Sequence, residues 1–359
     1  MGVWECGSVD VNSSIPLYSH TFLLFLHPHT PSLLMKFVIA GAGAVGAYLG
    51  ARMARAGLDV TLFARGAHLR AMQEHGVRVK SPDGDFEVRP EVTDNLETLG
   101  PVDVIILGVK AHSLPELAPR LCPLLGPDTV VVSTQNGIPW WYFQNHGGEF
   151  EGLRLERMDP GGVISSAIES RRVVGSIVYF STEIVQPGVI QHIEGNRISL
   201  GEPDGTRSDR CRKIAEALIQ AGFRCPITTR IRHEIWVKLL GNVAFNPISA
   251  LTGATLVQMV RDPDVSTLIR HIMMEAEAVA AKLGVELPVS IEQRMAGAEK
   301  VGEHKTSMLQ DLEAGRPLEL EAIVGAVVEL GERLGLPMIH TRTVYACTKL
   351  LAQCRTRRI

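Results

Sequence analysis

The apolar positions of this chain follow two rhythms. From Lys36 to about Gly201 they gather in short runs of strand length, alternating with helix-length amphipathic stretches, and from Ser208 onward they recur at helical spacing. Phe37 to Ala40 reads as a buried strand, a helix follows with Leu49, Met53 and Ala56 on one side, and Gly57 stops it before a second strand, Val60 to Ala64. Further along, the pattern predicts a helix over 68–75 and a polar hairpin over 77–92 that turns at Pro82-Asp83-Gly84. It then predicts a buried strand over 103–109, a helix over 114–125 and a strand over 129–133. Residues 172–201 read as three strands divided at Pro187-Gly188 and Gly195-Asn196. Beyond Glu202-Pro203-Asp204-Gly205, helices are predicted near 208–222, 230–251, 264–283, 288–302, 318–334 and 338–352, with helix starts at Ser208-Asp209 and Thr306-Ser307.

The first strand runs straight into Gly41-Ala42-Gly43-Ala44-Val45-Gly46, a G-x-G-x-x-G turn that opens a helix. The first glycine permits the tight turn, the second lets a pyrophosphate approach the backbone, and the third lets the helix pack on its strand. The free N–H groups of the helix start then face the phosphates. An NAD site usually ends its second strand in Asp or Glu for the ribose 2′-hydroxyl. Here Ala64-Arg65 stands there, and a guanidinium suits a 2′-phosphate, so the cofactor read from these residues is NADP(H). Ligands of open α/β sheets sit beyond the carboxyl ends of the strands, where Arg65, Lys110 and Asn136 all fall. The expected fold class is therefore α/β, an N-terminal Rossmann-type NADP-binding domain over 35–205 followed by an all-helical domain over 206–359.

Composition narrows the partners. With 359 residues, 45% of them hydrophobic, the chain can bury a large core, and a net charge of −3 argues against nucleic acid or an anionic membrane. The six cysteines, at 6, 122, 211, 225, 347 and 354, form no C-x-x-C pair and no metal-ligand spacing, which suggests reduced, mostly buried thiols in a cytoplasmic protein. No apolar run approaches the ~18 residues of a membrane-spanning helix. Residues 1–34 carry no Lys or Arg ahead of their apolar run, and they are expected to be a disordered extension or the product of an upstream start, with Met35 heading the first strand. Ile138-Pro139-Trp140-Trp141-Tyr142-Phe143 concentrates aromatics in a chain with 5% of them, at the head of an insertion near 138–172. It reads equally as a lid or interface patch and as a loop packed on the sheet.

Lys238, Asn242 and Asn246 recur every fourth residue within an apolar helix that Pro247 should kink. Desolvation of a lysine there would lower its pKa and make it a candidate general acid. Ser307, Asp311 and Glu319 form a second polar cluster that spacing alone assigns to helix starts.

Taken together these motifs resemble the ketopantoate reductases (2-dehydropantoate 2-reductases). The resemblance covers Met35 to about Leu351 and rests on G-A-G-A-V-G at 41–46, V-K at 109–110, Q-N-G at 135–137, W-x-K-L-x-x-N-x-x-x-N-P at 236–247 and K-T-S-M-L-Q-D-L-E-x-G-R-P-x-E at 305–319. It implies NADPH-dependent reduction of a small 2-oxo acid in pantothenate synthesis, with Lys238 as proton donor and Glu319 near it and near the cofactor. Asn242 and Asn246 would touch substrate, Asn136 both substrate and nicotinamide, and Ser307 the substrate carboxylate, while Arg65 and Lys110 would engage cofactor phosphates. Thr252-Gly253-Ala254-Thr255 lacks a further asparagine that some members carry, which leaves another 2-oxo acid open as the substrate. A non-catalytic NADP-binding regulator is the reading from another class. Tyr345 and Lys349 match the Tyr-x-x-x-Lys of short-chain dehydrogenases, but they lie on a predicted surface helix far from the strand ends. Apolar helices such as 323–330 are expected to serve a homodimer.

Overall fold

The structure, a computed structural model, describes residues 35–356, so the expectation for residues 1–34 falls outside it. Strands β1 (Phe37–Ala40), β2 (Val60–Phe63), β3 (Val77–Lys80), β4 (Phe86–Val88), β5 (Glu91–Thr93), β6 (Val102–Leu107), β7 (Leu125–Ser133), β8 (Val173–Gln186) and β9 (Val189–Gly201) join in one sheet ordered β4-β3-β9-β8-β7-β6-β1-β2-β5. The run from β5 to β8 is parallel throughout, and β9 returns antiparallel beside β8.

Such a sheet cannot be flat. Only Arg89 and Pro90 separate β4 at one edge from β5 at the other, a link that reaches about 10 Å. Nine strands laid flat would hold those edges almost 40 Å apart, at ~4.8 Å per strand. The sheet therefore curls round helix α1 (Ala44–Arg55), which packs against β1, β2, β3, β4, β8 and β9. Tyr48 of α1 fills the curl, with its ring stacked on His192 at 4.6 Å and edge-on to Phe180 and Phe223. The third strand expected in 172–201 does not exist as such. Gly195 and Asn196 together face Phe180 alone, and this bulge bends one long hairpin where the sequence suggested a turn.

Helix α2 (Gly66–His75) follows β2. The helix expected over 114–125 shortens to α3 (Leu114–Leu117) and a 3-10 segment, Ala118–Leu124, because Pro119 and Pro123 deny it backbone donors. The strand after it starts early, at Leu125. Short α4 (Val163–Ala167) and α5 (Asp209–Gln220) lead to the helical half. That half comprises α6 (Ile231–Thr252), α7 (Leu256–Arg261), α8 (Pro263–Lys282), α9 (Ile291–Val301), α10 (Ser307–Glu313), a π-helical turn at Glu321–Gly325, α11 (Ala326–Arg333) and α12 (Ile339–Thr356). Helix α6 is its axis, packed against α7, α8, α10, α12, the π-turn and β8. It remains one helix through Pro247 to Thr252. Alternate residues split the sheet faces: Phe37 and Ile39 join the core over α1 and α5, while Val38 and Ala40 join one that runs unbroken into the helical half.

Burial decides one open reading here and changes other expectations. Trp140, Trp141, Tyr142 and Phe143 are all buried, so they are neither lid nor interface patch. Ile323, Val324, Val327, Val328 and Leu330 are likewise buried within this chain and leave no apolar face there for a second copy. Of the five described cysteines, Cys211 and Cys225 are buried, whereas Cys122, Cys347 and Cys354 are exposed. The insertion is pinned by Arg157, which donates to Glu321 at 2.8 Å and to the Tyr345 hydroxyl at 2.5 Å. Tyr345 is thus a buried structural partner, where a surface position was expected.

The aromatic segment is tied to α6 by one buried bond, Trp236 Nε1 donating to the Tyr142 hydroxyl at 2.8 Å. Tyr142→Phe strands that indole N–H in an apolar core, and an unsatisfied buried donor costs about 1–3 kcal/mol. Urea unfolding should show a loss of that size with an unchanged m-value; no shift in midpoint would mean the bond contributes nothing.

Candidate active site

The glycine turn divides its work by space. A Cβ at Gly41 would lie 2.3 Å from the Val109 side chain, and one at Gly46 would lie 2.1 Å from the Gly41 carbonyl. These two glycines are fixed by packing. At Gly43 a Cβ would meet nothing within 4 Å, so the chain leaves the side from which a pyrophosphate approaches open. Gly43 is the N-cap of α1 with no side chain to cap it, and the N–H groups of Ala44, Val45 and Gly46 have no intrahelical acceptor. Ala42 is locked below by its N–H to the Phe63 carbonyl at 2.7 Å. Arg65, exposed at the N-cap of α2, has no side-chain partner among the described residues. A phosphate-bearing dinucleotide fits this cradle.

The other strand ends are occupied. Lys110 pairs with the buried Asp311 of α10, which also accepts from Arg316 at 3.0 Å, so its ammonium ties β6 to the helical half. After β7, Gln135 is clamped by the Leu107 and Val109 carbonyls and by Ser133. That clamp presents Asn136 to the helices, and Asn242 Nδ2 donates to Asn136 Oδ1 at 3.0 Å. Gly137, at φ 85°, lets the strand end press on the π-turn, where Ile138 N–H donates to the Ala322 carbonyl at 3.0 Å. A side chain at Gly137 would strike that carbonyl.

Lys238 faces the same cleft, lined by Gln135, Asn136, Gly137, Ile177, Val178, Ile235 and Leu239. Its ammonium donates to the Val178 carbonyl at 2.8 Å and lies 5.9 Å from the centre of the Tyr179 ring. Burial pulls its pKa down to about 8, against the opposing pull of Glu319. Burial also raises the Glu319 carboxyl, with Lys110 and the Ala111 N–H working the other way. Asn246, one turn past Asn242, is buried with Nδ2 unpartnered among the described residues. The structure thus brings Lys238 and Asn136 to one cleft, ties Asn242 to Asn136 and sets Glu319 within the field of Lys238, while Asn246 lies buried farther along α6. Ser307 is exposed at the first turn of α10, which packs on α6, and Arg65 stands apart beside the glycine turn.

Sequence reasoning missed Tyr179, Arg294 and His68. The first covers Lys238 from a strand that spacing could not align with it. Arg294 left a signal, an arginine on the apolar Ile291, Met295 and Ala298 face of its helix. His68 accepts from the Gly188 N–H at 3.0 Å, holding the hairpin tip to α2, and burial pulls its pKa down.

A cradle for a dinucleotide at the head of a parallel sheet, facing a desolvated lysine, defines an oxidoreductase with a Rossmann-like fold. The family model described as ketopantoate reductase PanE/ApbA matches residues 37–205, and its C-terminal counterpart matches residues 230–352. A 2-dehydropantoate 2-reductase from Mesorhizobium japonicum is 49% identical over 89% of this chain and 98% of its own length. Another from Archaeoglobus fulgidus is 32% identical over 87% and 96%. The crystal structure of a candidate ketopantoate reductase from Ralstonia solanacearum superposes with a TM-score of 0.86 at 41% identity, covering 90% of this chain and 99% of that one. The chain belongs to the ketopantoate reductase family, and it is an oxidoreductase acting between a carbonyl and a CH–OH group with a nicotinamide cofactor. No helix among the described residues is long and apolar enough to cross a membrane, and these residues hold no cluster of metal-binding side chains.

Gly43 and Gly46 should separate binding from folding. Gly43→Ala has room for its methyl, and it should fold normally yet bind dinucleotide at least tenfold more weakly. Gly46→Ala should express poorly or melt well below wild type, since its methyl meets backbone. Equal melting and equal cofactor affinity in the two variants, read by thermal shift and fluorescence titration, would contradict this division.

Proposed function

We propose that this protein reduces 2-dehydropantoate to pantoate with NADPH, as a step of pantothenate synthesis in the cytoplasm. The observation that carries the reading is the partly buried Lys238 ammonium at the head of the Asn242 and Asn246 row, opposite Asn136 and within the field of Glu319. When bound, the reduced nicotinamide supplies the hydride to the carbonyl carbon. As the C=O π pair withdraws onto oxygen, Lys238 donates the proton that completes the hydroxyl and is later reprotonated from solvent.

Asn136, Asn242 and Asn246 orient the substrate, and the unpartnered Nδ2 of Asn246 is a donor in need of an acceptor. Ser307 holds the substrate carboxylate from α10. Glu319 steadies the ammonium and would help to hold the cofactor. The turn from Gly41 to Gly46 holds the pyrophosphate, Arg65 the 2′-phosphate, and Lys110 reaches the phosphates when it exchanges Asp311 for them. The chain works as a cofactor half over 35–205, on whose sheet α5 also packs, and a substrate half from α6 onward, and we expect a homodimer through a face other than 323–330.

Two measurements test this. Arg65→Ala should weaken NADPH binding roughly 10- to 100-fold, the scale of a lost charge-assisted pair, and leave NADH almost unchanged; an equal loss for both would remove the 2′-phosphate assignment. Lys238→Ala should lower kcat by ~10² to 10⁴ with the NADPH Kd nearly intact. Because the donor is the protonated form and its pKa is lowered to about 8, wild-type kcat should hold below that pH and fall tenfold per unit above it. A profile flat to pH 10 would exclude Lys238 as the acid.

A further inference from the structure

Helix α9 turns Ile291, Arg294, Met295 and Ala298 inward, and the charged member of that set is pressed against α6. Arg294 Nη2 donates to the Val237 carbonyl at 2.5 Å. Its Nε and Nη2 lie 3.2 and 3.4 Å from where a side chain at Gly241 would begin. A glycine in a helix interior costs about 1 kcal/mol relative to alanine. Here it clears the space the guanidinium occupies. Gly241 is three residues from Lys238, so the guanidinium lies along the flank of α6 next to the lysine row. Tyr179 joins the two, with its ring toward the Lys238 ammonium and its phenol within the field of Arg294.

What Arg294 lacks is an anion. Nearby Arg197 is paired with Glu234 at 3.1 Å, but Arg294 has no acidic partner among the described residues and spends one of its five N–H donors on Val237. The Tyr179 hydroxyl has no hydrogen-bond partner among these residues either. Burial also pulls the arginine below its usual range, as expected of a cation drawn from water without compensation. A planar fork of unspent donors, together with a free hydroxyl on the residue whose ring covers Lys238, matches the two oxygens of a carboxylate.

We propose that Arg294, acting together with the Tyr179 hydroxyl, receives a carboxylate of the substrate and so selects anionic over neutral carbonyl compounds. The inference rests on reading the cleft as that of a 2-oxo acid reductase and adds a recognition residue to it. The carboxylate is either the one adjoining the carbonyl, which Arg294 then takes in place of Ser307, or a distal one on a 2-oxo dicarboxylic acid, which then takes the place of 2-dehydropantoate as the substrate.

The test compares wild type, Arg294→Gln, Arg294→Lys and Tyr179→Phe at saturating NADPH. The substrates are a 2-oxo monoacid, a 2-oxo dicarboxylic acid and the neutral lactone of a 2-oxo acid. Arg294→Gln should raise KM roughly 10- to 100-fold for the acids and leave the lactone unchanged, with kcat moving far less. Lysine should restore little of this, lacking the fork. Tyr179→Phe keeps the tie to Val237 and should raise KM several-fold for the acids alone. A rise for both acids identifies the carboxylate beside the carbonyl, and a rise confined to the dicarboxylic acid identifies the distal one; either supports the proposal. An equal change for acids and lactone, as loss of the α9 contact alone would give, or no change in KM, overturns it. Calorimetric binding of oxalate, weakened at least tenfold in Arg294→Gln, reads the same site without turnover. Wild-type failure to reduce any 2-oxo acid would defeat the functional reading, while the oxalate result would still decide on Arg294.

Discussion

An ammonium withdrawn from water is the constraint around which this molecule is arranged. Lowering the Lys238 pKa from 10.5 to about 8 means that its charged form costs the fold about 3 kcal/mol at neutral pH. The sign follows from linkage: between these two values the unfolded chain holds more protons, so this cost is fully present below pH 8 and is relieved as pH rises towards 10.5. The fold retains the charge with a carbonyl, an aromatic face and a carboxylate, supplied by Val178, Tyr179 and Glu319. A rigid support is required for that, and α6 provides it by burying most of its length between other helices and the sheet.

The curled sheet serves this end as well as the cofactor cradle. The β8–β9 hairpin arches over α1 at its far end, where His192 bonds Ser81 and the Gly195 carbonyl and stacks on Tyr48. Nearer its base the same β8 presents the Val178 carbonyl to Lys238. One strand therefore braces the helix that begins at the glycine turn and also solvates the lysine across the cleft. The π-turn makes a comparable link, because its Ala322 carbonyl takes the Ile138 N–H just beyond Asn136 while Glu319 lies two residues before it. A widened helical turn at such a junction is common near functional sites.

The parts of this plan legible in the sequence were those set by local geometry. Three glycines, the apolar runs around them and the four-residue spacing of Lys238, Asn242 and Asn246 depend on neighbours within a few turns. What escaped was set by partners distant in sequence. Gly195-Asn196 looks like a turn until Phe180 opposes it, and Ile323 to Leu330 look like a free apolar face until α6 and α8 cover them. The aromatic segment was ambiguous because its exposure depends on the remote Trp236 and Arg232. Prolines at 119 and 123 were visible and should have outweighed the helical pattern of 114–125.

The charges around the cleft also explain why Glu319 alone could not be singled out by spacing. Its environment is built from three places in the chain: Lys110 and the Ala111 N–H after β6, Asp311 on α10, and Lys238 on α6. Asp311 opposes ionisation of Glu319, but it is itself engaged by Lys110 and Arg316, so two cations damp its repulsion. Lys110 acts on Glu319 in the opposite sense, directly, through its own charge. The carboxyl beside Lys238 is thus balanced by groups at the cofactor side of the cleft, and any redistribution of the Lys110 charge is felt at Glu319 and through it at the lysine. The contact between the two halves of the chain carries electrostatic information as well as apolar packing.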